Sequence, residues 1–478
     1  MNQTLSILAI SICIAYPIFS SAEEKTSTLS DQSAVAVTIY NQNLALVKDQ
    51  RQLTLDKGLN DLAFRGVSAK IRPETALLRS LNPKNKLSVL EQNFDFDLLT
   101  PKKLLEKNTG KQVRLSSINP VTGIERIEEA TVLSTHGGVT LKIGDRIVTN
   151  PQGSYIFEQV PANLRDQPTL VTKLTSSSNK EQTVELGYLT GGLSWKADYV
   201  AELSNDDSQL DLTGWITLNN KSGTAYNNAK LQLVAGDVNQ VQPQPNRGRG
   251  RVAMMEMKTM ADSSVAEESL FEYHLYSLNN TTNLANNQTK QVALLSASSV
   301  PVKKEFLLQG NNYYYGSKYG QIGKKMKVAV FVGFKNDEHS QLGLPIPKGI
   351  VRVYKNDSSG HAQFVGEDSI DHTPKNESIR LKLGNAFDIT ANKTQTDFKK
   401  AKYTPPHHAA YESAYEIELK NAKTEAVTVT VREPIPSEWK VLKENYAHEK
   451  VSSSTAEWQV SIPAESSKTL KYRVLVQY

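Results

Sequence analysis

The run Val427-Thr428-Val429-Thr430-Val431 alternates apolar and hydroxyl side chains without a break. Glu416-Ile417-Glu418-Leu419 before it and Leu470-Lys471-Tyr472-Arg473-Val474 after it do the same with charged partners. Successive side chains of an extended chain point to opposite faces, so a period of two describes a strand with one face buried and one wet. These runs predict residues 409–478 as an immunoglobulin-like sandwich that lacks a disulfide. The same alternation extends upstream. Val35, Val37 and Ile39 alternate, Tyr40-Asn41-Gln42-Asn43 breaks the run, and Leu44 to Leu55 predicts a returning strand closed by Asp56-Lys57-Gly58. Thr169 to Leu174, Thr183 to Tyr188, Ala197 to Leu203 and Leu210 to Leu218 read as further sandwich strands.

Two stretches depart from this grammar. One helix is expected, with Thr100 as N-cap, Pro101 in the first turn, Leu104 and Leu105 facing inward and Asn108-Thr109-Gly110 as the stop. From Gly110 to Pro161 short strands recur at close spacing between Asn119-Pro120, Gly137-Gly138 and Asn150-Pro151, which suits a small β-barrel or insert. The fold class is therefore mainly β, in several parts. A signal peptide occupies 1–22, an N-terminal β domain 23–109, a small β insert 110–164 and a central β-sandwich region 165–400. A flexible excursion lies at 241–264, where Gln242-Pro243-Gln244-Pro245 opens a stretch without apolar period, and the tail sandwich occupies 409–478. No repeat of fixed period is visible.

Composition removes several function classes. The 478 residues carry 55 Lys and Arg against 50 Asp and Glu, a balance of +5 that gives no reason to expect a nucleic-acid partner. Hydrophobic residues at 39% and charged residues at 22% place the chain among globular proteins rather than disordered ones. Leu5 to Phe19 is apolar and uncharged, and Ser20-Ser21-Ala22 supplies small residues for signal-peptidase cleavage, so export to the periplasm or beyond is expected. The single cysteine, Cys13, lies inside that run, and Ile12 before it is a poor fit for lipidation. Cleavage then leaves a thiol-free chain without disulfide, thiol nucleophile or cysteine-held zinc. No later segment is apolar for long enough to span a membrane, and no cofactor is expected.

Motifs for the commoner chemistries are missing: there is no Gly-x-Ser-x-Gly, no His-Glu-x-x-His and no phosphate loop. Three constellations remain. Glu367, Asp368, Asp371 and His372 could ligate a divalent cation, provided a loop brings them together, because Glu367 and Asp368 in a strand face opposite ways; otherwise they read as a solvated turn or a local ion pair. Met254, Met255, Met257 and Met260 supply soft thioethers suited to Cu(I), or flexible apolar filler for docking. Tyr313, Tyr314, Tyr315 and Tyr319, set among amides and glycines, suit stacking on sugars or peptides, or else a β-hairpin whose tyrosines bridge sheets or cover an edge. Trp195, Trp215, Trp439 and Trp458 are expected in cores. A non-catalytic binding or scaffold role toward protein or glycan in the cell envelope is the leading expectation. A metal-dependent hydrolase and a copper-binding protein are the alternatives.

Several segments carry a family resemblance. The longest is Gly187-Tyr188-Leu189-Thr190-Gly191-Gly192-Leu193-Ser194-Trp195-Lys196-Ala197-Asp198-Tyr199, followed by Gly214-Trp215 and Leu233-Val234-Ala235-Gly236-Asp237-Val238. Further on come Leu344-Pro345-Ile346-Pro347-Lys348-Gly349, Val365-Gly366-Glu367-Asp368 and Gly384-Asn385-Ala386-Phe387-Asp388. From about Thr183 to the C-terminus the chain resembles the bacterial exported family catalogued as domain of unknown function 4139. Its N-terminal third is similar to the segment that often precedes that domain, without the long coiled coil some relatives carry between the two. The resemblance implies an all-β fold and export. It transfers no activity, substrate or catalytic residue.

Overall fold

A computed structural model describes residues 24–161, 164–236, 238–239, 265–270 and 273–478. The expected signal segment with Cys13, and the methionine-bearing excursion, lie outside the described residues. The described chain is mainly β, arranged in five hydrogen-bonded sheets of four, five, eight, five and nine strands. No described helix is long and apolar enough to cross a membrane.

Local sequence accounts for the elements. Val35, Val37 and Ile39 are the buried phase of strand Gln32–Tyr40, which turns back antiparallel into Leu44–Thr54. Pro101–Lys107 is a helix whose Thr100 hydroxyl accepts the Lys103 amide at 3.2 Å, with only Leu105 fully buried. Strands Gln112–Ile118, Glu125–Ser134, Thr140–Ile143, Arg146–Thr149 and Ser154–Ile156 form a five-stranded antiparallel sheet with its own core of Leu105, Val113, Leu115, Ala130, Val132, Leu141 and Ile143.

Trp195, Trp439 and Trp458 are buried, but Trp215 is 38% exposed. The strand Gln209–Asn220 explains the difference. Leu210, Leu212, Gly214, Ile216 and Leu218 occupy one phase and turn inward, so Trp215 takes the opposite face.

A hydrogen-bonding motif recurs three times although the sequence has no fixed period. Asn220 ends the strand Gln209–Asn220; its Nδ2 lies within 2.8–3.2 Å of the carbonyls of Thr224, Leu284 and Ala285, and its Oδ1 accepts the Ser222 amide. Asn336, just past the strand Gln321–Lys335, addresses the carbonyls of Leu344, Thr373 and Pro374 and accepts from the Gly343 amide. Asn421 ends the strand Ala410–Asn421, addresses Glu425, Ile462 and Pro463, and accepts from the Lys423 amide. All three are buried.

The surrounding strands repeat too. The strand before each asparagine pairs antiparallel with the one leaving the bridged loop, respectively Gln288–Pro301, Ser378–Lys400 and Ser466–Gln477. The strand after each asparagine runs parallel to an earlier one. Tyr226–Ala235 lies beside Gln32–Tyr40, Gly349–Asn356 beside Leu193–Leu203, and Val427–Pro434 beside Lys303–Gln309. Three interlocked copies of one strand arrangement thus build most of the body, and each borrows a strand from far upstream. Consequently the expected divide between 23–109 and 165–400 does not coincide with a break in hydrogen bonding. Nor does the divide before 409, where Ala410–Asn421 pairs with Ser378–Lys400.

Candidate functional site

The tyrosine segment forms a short 3-10 turn, Asn312–Tyr315, between the strands Lys303–Gln309 and Gln321–Lys335. The four tyrosines divide. Tyr313 is 55% and Tyr319 37% exposed, whereas Tyr314 and Tyr315 are buried. Rings of Tyr313, Tyr314 and Tyr319 meet edge to face, at centroid separations of 4.5 Å for Tyr313–Tyr314 and 6.2 Å for Tyr313–Tyr319.

Beneath them lies a polar network in the core. The Tyr315 hydroxyl donates to Glu433 Oε2 at 2.9 Å and lies 3.0 Å from the Tyr472 hydroxyl. Glu433 Oε1 accepts from Lys393 Nζ at 2.6 Å, with the two side chains 1% and 0% exposed. The Lys393 ammonium sits 4.7 Å from the Tyr314 ring centre and 5.0 Å from that of Tyr415, a cation held against aromatic faces. The Tyr415 hydroxyl donates to the Tyr314 carbonyl at 2.7 Å, and Gln395 accepts the Tyr319 amide at 2.6 Å while donating to the Ser317 carbonyl. A Cβ at position 310 would lie 2.1 Å from Glu433 Oε2, which is why that residue is Gly310. Burial pulls the Lys393 ammonium below its ordinary pKa, against the pull of Glu433, and pushes Tyr315 and Tyr472 well above theirs. Burial also pushes the Tyr415 hydroxyl up to about 12. The buried half of the segment thus anchors the loop, leaving Tyr313 and Tyr319 as the presented pair.

Sequence reasoning passed over Lys393 and Glu433, yet each carries a signal. Ile389, Ala391, Lys393 and Gln395 share one phase of their strand, as do Val427, Val429, Val431 and Glu433. A charge in the inward phase of an alternating strand must find a partner or neutralise.

On the outer face of the same strands lies a half-open depression of about 390 Å³, lined by Gln321, Lys324, Lys325, Thr390, Asn392 and Lys420. It begins two residues after Tyr319.

The acidic group behaves differently. Glu367 and Asp368 lie within the strand Ala362–Ile370, on opposite faces, and not in a loop. Glu367 pairs with Arg352 at 3.2 Å, and Asp368 Oδ2 accepts the Lys382 amide at 2.7 Å. The Asp371 carbonyl accepts the Thr373 hydroxyl, and His372 Nδ1 accepts the Lys348 amide at 3.2 Å. Among the described residues, no group of three or more His, Cys, Asp or Glu could hold a metal ion. Met254, Met255, Met257 and Met260 lie outside the described residues.

The family model described as domain of unknown function (DUF4139) matches residues 184–478. No curated protein matches the chain.

Proposed function

The chain belongs to the DUF4139 family, and from that premise we propose a non-catalytic binding role for it, as an exported protein of the cell envelope that holds glycan. The observation that carries this reading is the division of the tyrosine segment. Tyr314 and Tyr315 are locked into the Lys393–Glu433 network, so Tyr313 and Tyr319 are presented as rings already fixed in place. Fixed rings lose little conformational freedom on stacking against a sugar, and a tyrosine offers an apolar face with a polar tip. Export rests on the apolar run Leu5 to Phe19 and the small residues after it.

The hydrolase alternative would need its four residues to converge. Glu367 and Asp368 lie on opposite faces of one strand with partners of their own. The described residues hold no group of three or more His, Cys, Asp or Glu fit for a metal ion. Copper binding through the four methionines would be tested by whether a Cu(I) titration saturates and is lost when all four are replaced.

Immobilised envelope polysaccharides provide the test of the main reading. Tyr313→Ala and Tyr319→Ala should each weaken binding by about fivefold, from the loss of ~1 kcal/mol of ring contact. Unchanged binding in the double variant, with melting temperature preserved, would remove the tyrosine pair from the reading.

A further inference from the structure

The floor of the lysine-walled depression is an interruption in strand pairing. Register between Gln321–Lys335 and Ser378–Lys400 slips between Gln321 and Gly323 and again between Gly323 and Met326. In that bulge Lys325 takes a left-handed backbone, with φ of 48°. A side chain larger than hydrogen pays roughly 1–2 kcal/mol for that conformation. The bulge is held by Asn392, whose Oδ1 accepts the Lys325 amide at 2.9 Å and whose Nδ2 donates to Glu418 Oε2 at 2.8 Å. Bulges redirect side chains, and this one sets two consecutive lysines, Lys324 and Lys325, on the wall of one depression.

Register adds to the charge. Thr390 in the middle strand is opposite Lys327 on one neighbour and Lys420 on the other. Glu418 is shared between Asn392 and Lys420, which it meets at 3.2 Å. Lys324, Lys325 and Lys327 make no ion pair among the described residues. Other lysines do: Lys304 and Lys355 converge on Asp207, and Lys393 meets Glu433. Lys324 and Lys325 set two unpaired ammonium groups beside that of Lys420, which Glu418 already meets, and a bound oxyanion relieves the repulsion that remains. The remaining lining groups include the Thr390 hydroxyl and the Gln321 amide, suited to sugar hydroxyls around an acidic group, while Asn392 is engaged in holding the bulge.

We infer that the Lys324–Lys325 bulge, with Lys420 and Lys327, is an oxyanion-binding site that takes a carboxylate group of an acidic glycan chain. The inference rests on the glycan reading of the tyrosine loop and narrows it to uronate-bearing polymers. Gln321 follows Tyr319 by two residues, and the Gly320 carbonyl accepts the Gln395 amide, so loop and depression are fixed to the same pair of strands. A polymer that passed from the rings to the ammonium groups would gain from two modest contacts on one ligand, which multiply.

The test uses the full exported chain on immobilised polygalacturonate and on neutral dextran, at low and moderate salt. The lysine variant is Lys324→Gln with Lys325→Asn and Lys420→Gln, asparagine being chosen because it tolerates the left-handed backbone. Melting temperature checks that it folds. The expected result is at least tenfold weaker polygalacturonate binding, a flattened salt dependence and unaltered dextran binding. Tyr313→Ala with Tyr319→Ala should weaken both polymers. If the lysine variant binds polygalacturonate as the parent does, the site is overturned while the tyrosine reading stands. If the tyrosine variant alone is unaffected, the glycan loop falls and the anion site stands. Competition by inorganic phosphate at the polymer's own affinity would mean a free oxyanion site and overturn the uronate assignment.

Discussion

Lys393 and Glu433 form a buried ion pair whose removal distinguishes charge from packing. Both side chains are fully buried, and the carboxylate takes bonds from Lys393 and Tyr315. Removing either partner strands the other charge in a low-dielectric core, so Lys393→Met or Glu433→Leu alone should cost about 3–5 kcal/mol. The combined Lys393→Met/Glu433→Leu variant should cost clearly less than the sum, because no orphan charge remains. Chemical denaturation of the three variants measures the cycle, and strictly additive losses would refute a coupled pair. The same residue scale shows what sequence could reveal. Tyr313 and Tyr315 look alike in a run of three tyrosines, and only the 3-10 turn separates them into surface and core. Lys393 was readable from its inward phase, but the identity of its partner on another strand was not, since alternation specifies a face and not a neighbour.

At the scale of elements, alternation identified the strands because each needs only local pattern. The helix was equally legible, since Thr100, Pro101 and Asn108 act within a single turn of chain. Pairing was not legible. Parallel partners such as Gln32–Tyr40 and Tyr226–Ala235 lie far apart in sequence, and nothing in either strand names the other. Glu367 and Asp368 are a related case: where metal binding would require a loop there is a strand, because Gln363 to Ile370 pairs across with the strand Gly349–Asn356. The three buried asparagines mark corners that residue spacing hides, the bridged loops being of unequal length. Each satisfies carbonyls that the turning chain would otherwise leave unpaired in the interior. Asn421→Ala should therefore cost about 2–3 kcal/mol, against at most ~0.5 kcal/mol for Thr428→Ala on the exposed phase nearby. Thermal unfolding of the two variants decides this, and equal losses would mean the corner bonds contribute nothing beyond side-chain truncation.

For the whole molecule, the family match and the folding unit differ in extent. The match starts at residue 184, inside the strand Glu181–Thr190, which pairs with Leu44–Thr54 over ten residues. Tyr226–Ala235, within the match, takes its parallel partner Gln32–Tyr40 from outside it. Val37, Ile39 and Val47 share one core with Leu186, Leu231 and Leu233. A fragment of residues 184–478 would thus expose both edges of the strand Glu181–Thr190, one edge of Tyr226–Ala235 and a sheet face built to be covered, which favours aggregation over independent folding. Expressed alone, it should elute as aggregate and lack a cooperative thermal transition. Co-expressed with residues 24–183, it should elute as a one-to-one complex, because the missing strands can return in trans as they do in cis. The carboxyl-terminal core around Tyr415, Trp458 and Tyr472 draws on residues from 306 onward, so it is the part of the fragment expected to retain native near-ultraviolet dichroism. A monodisperse, cooperatively melting fragment would show that the upstream strands are accessory, and that the borrowed-strand arrangement adds a surface to the family's fold without being required for it.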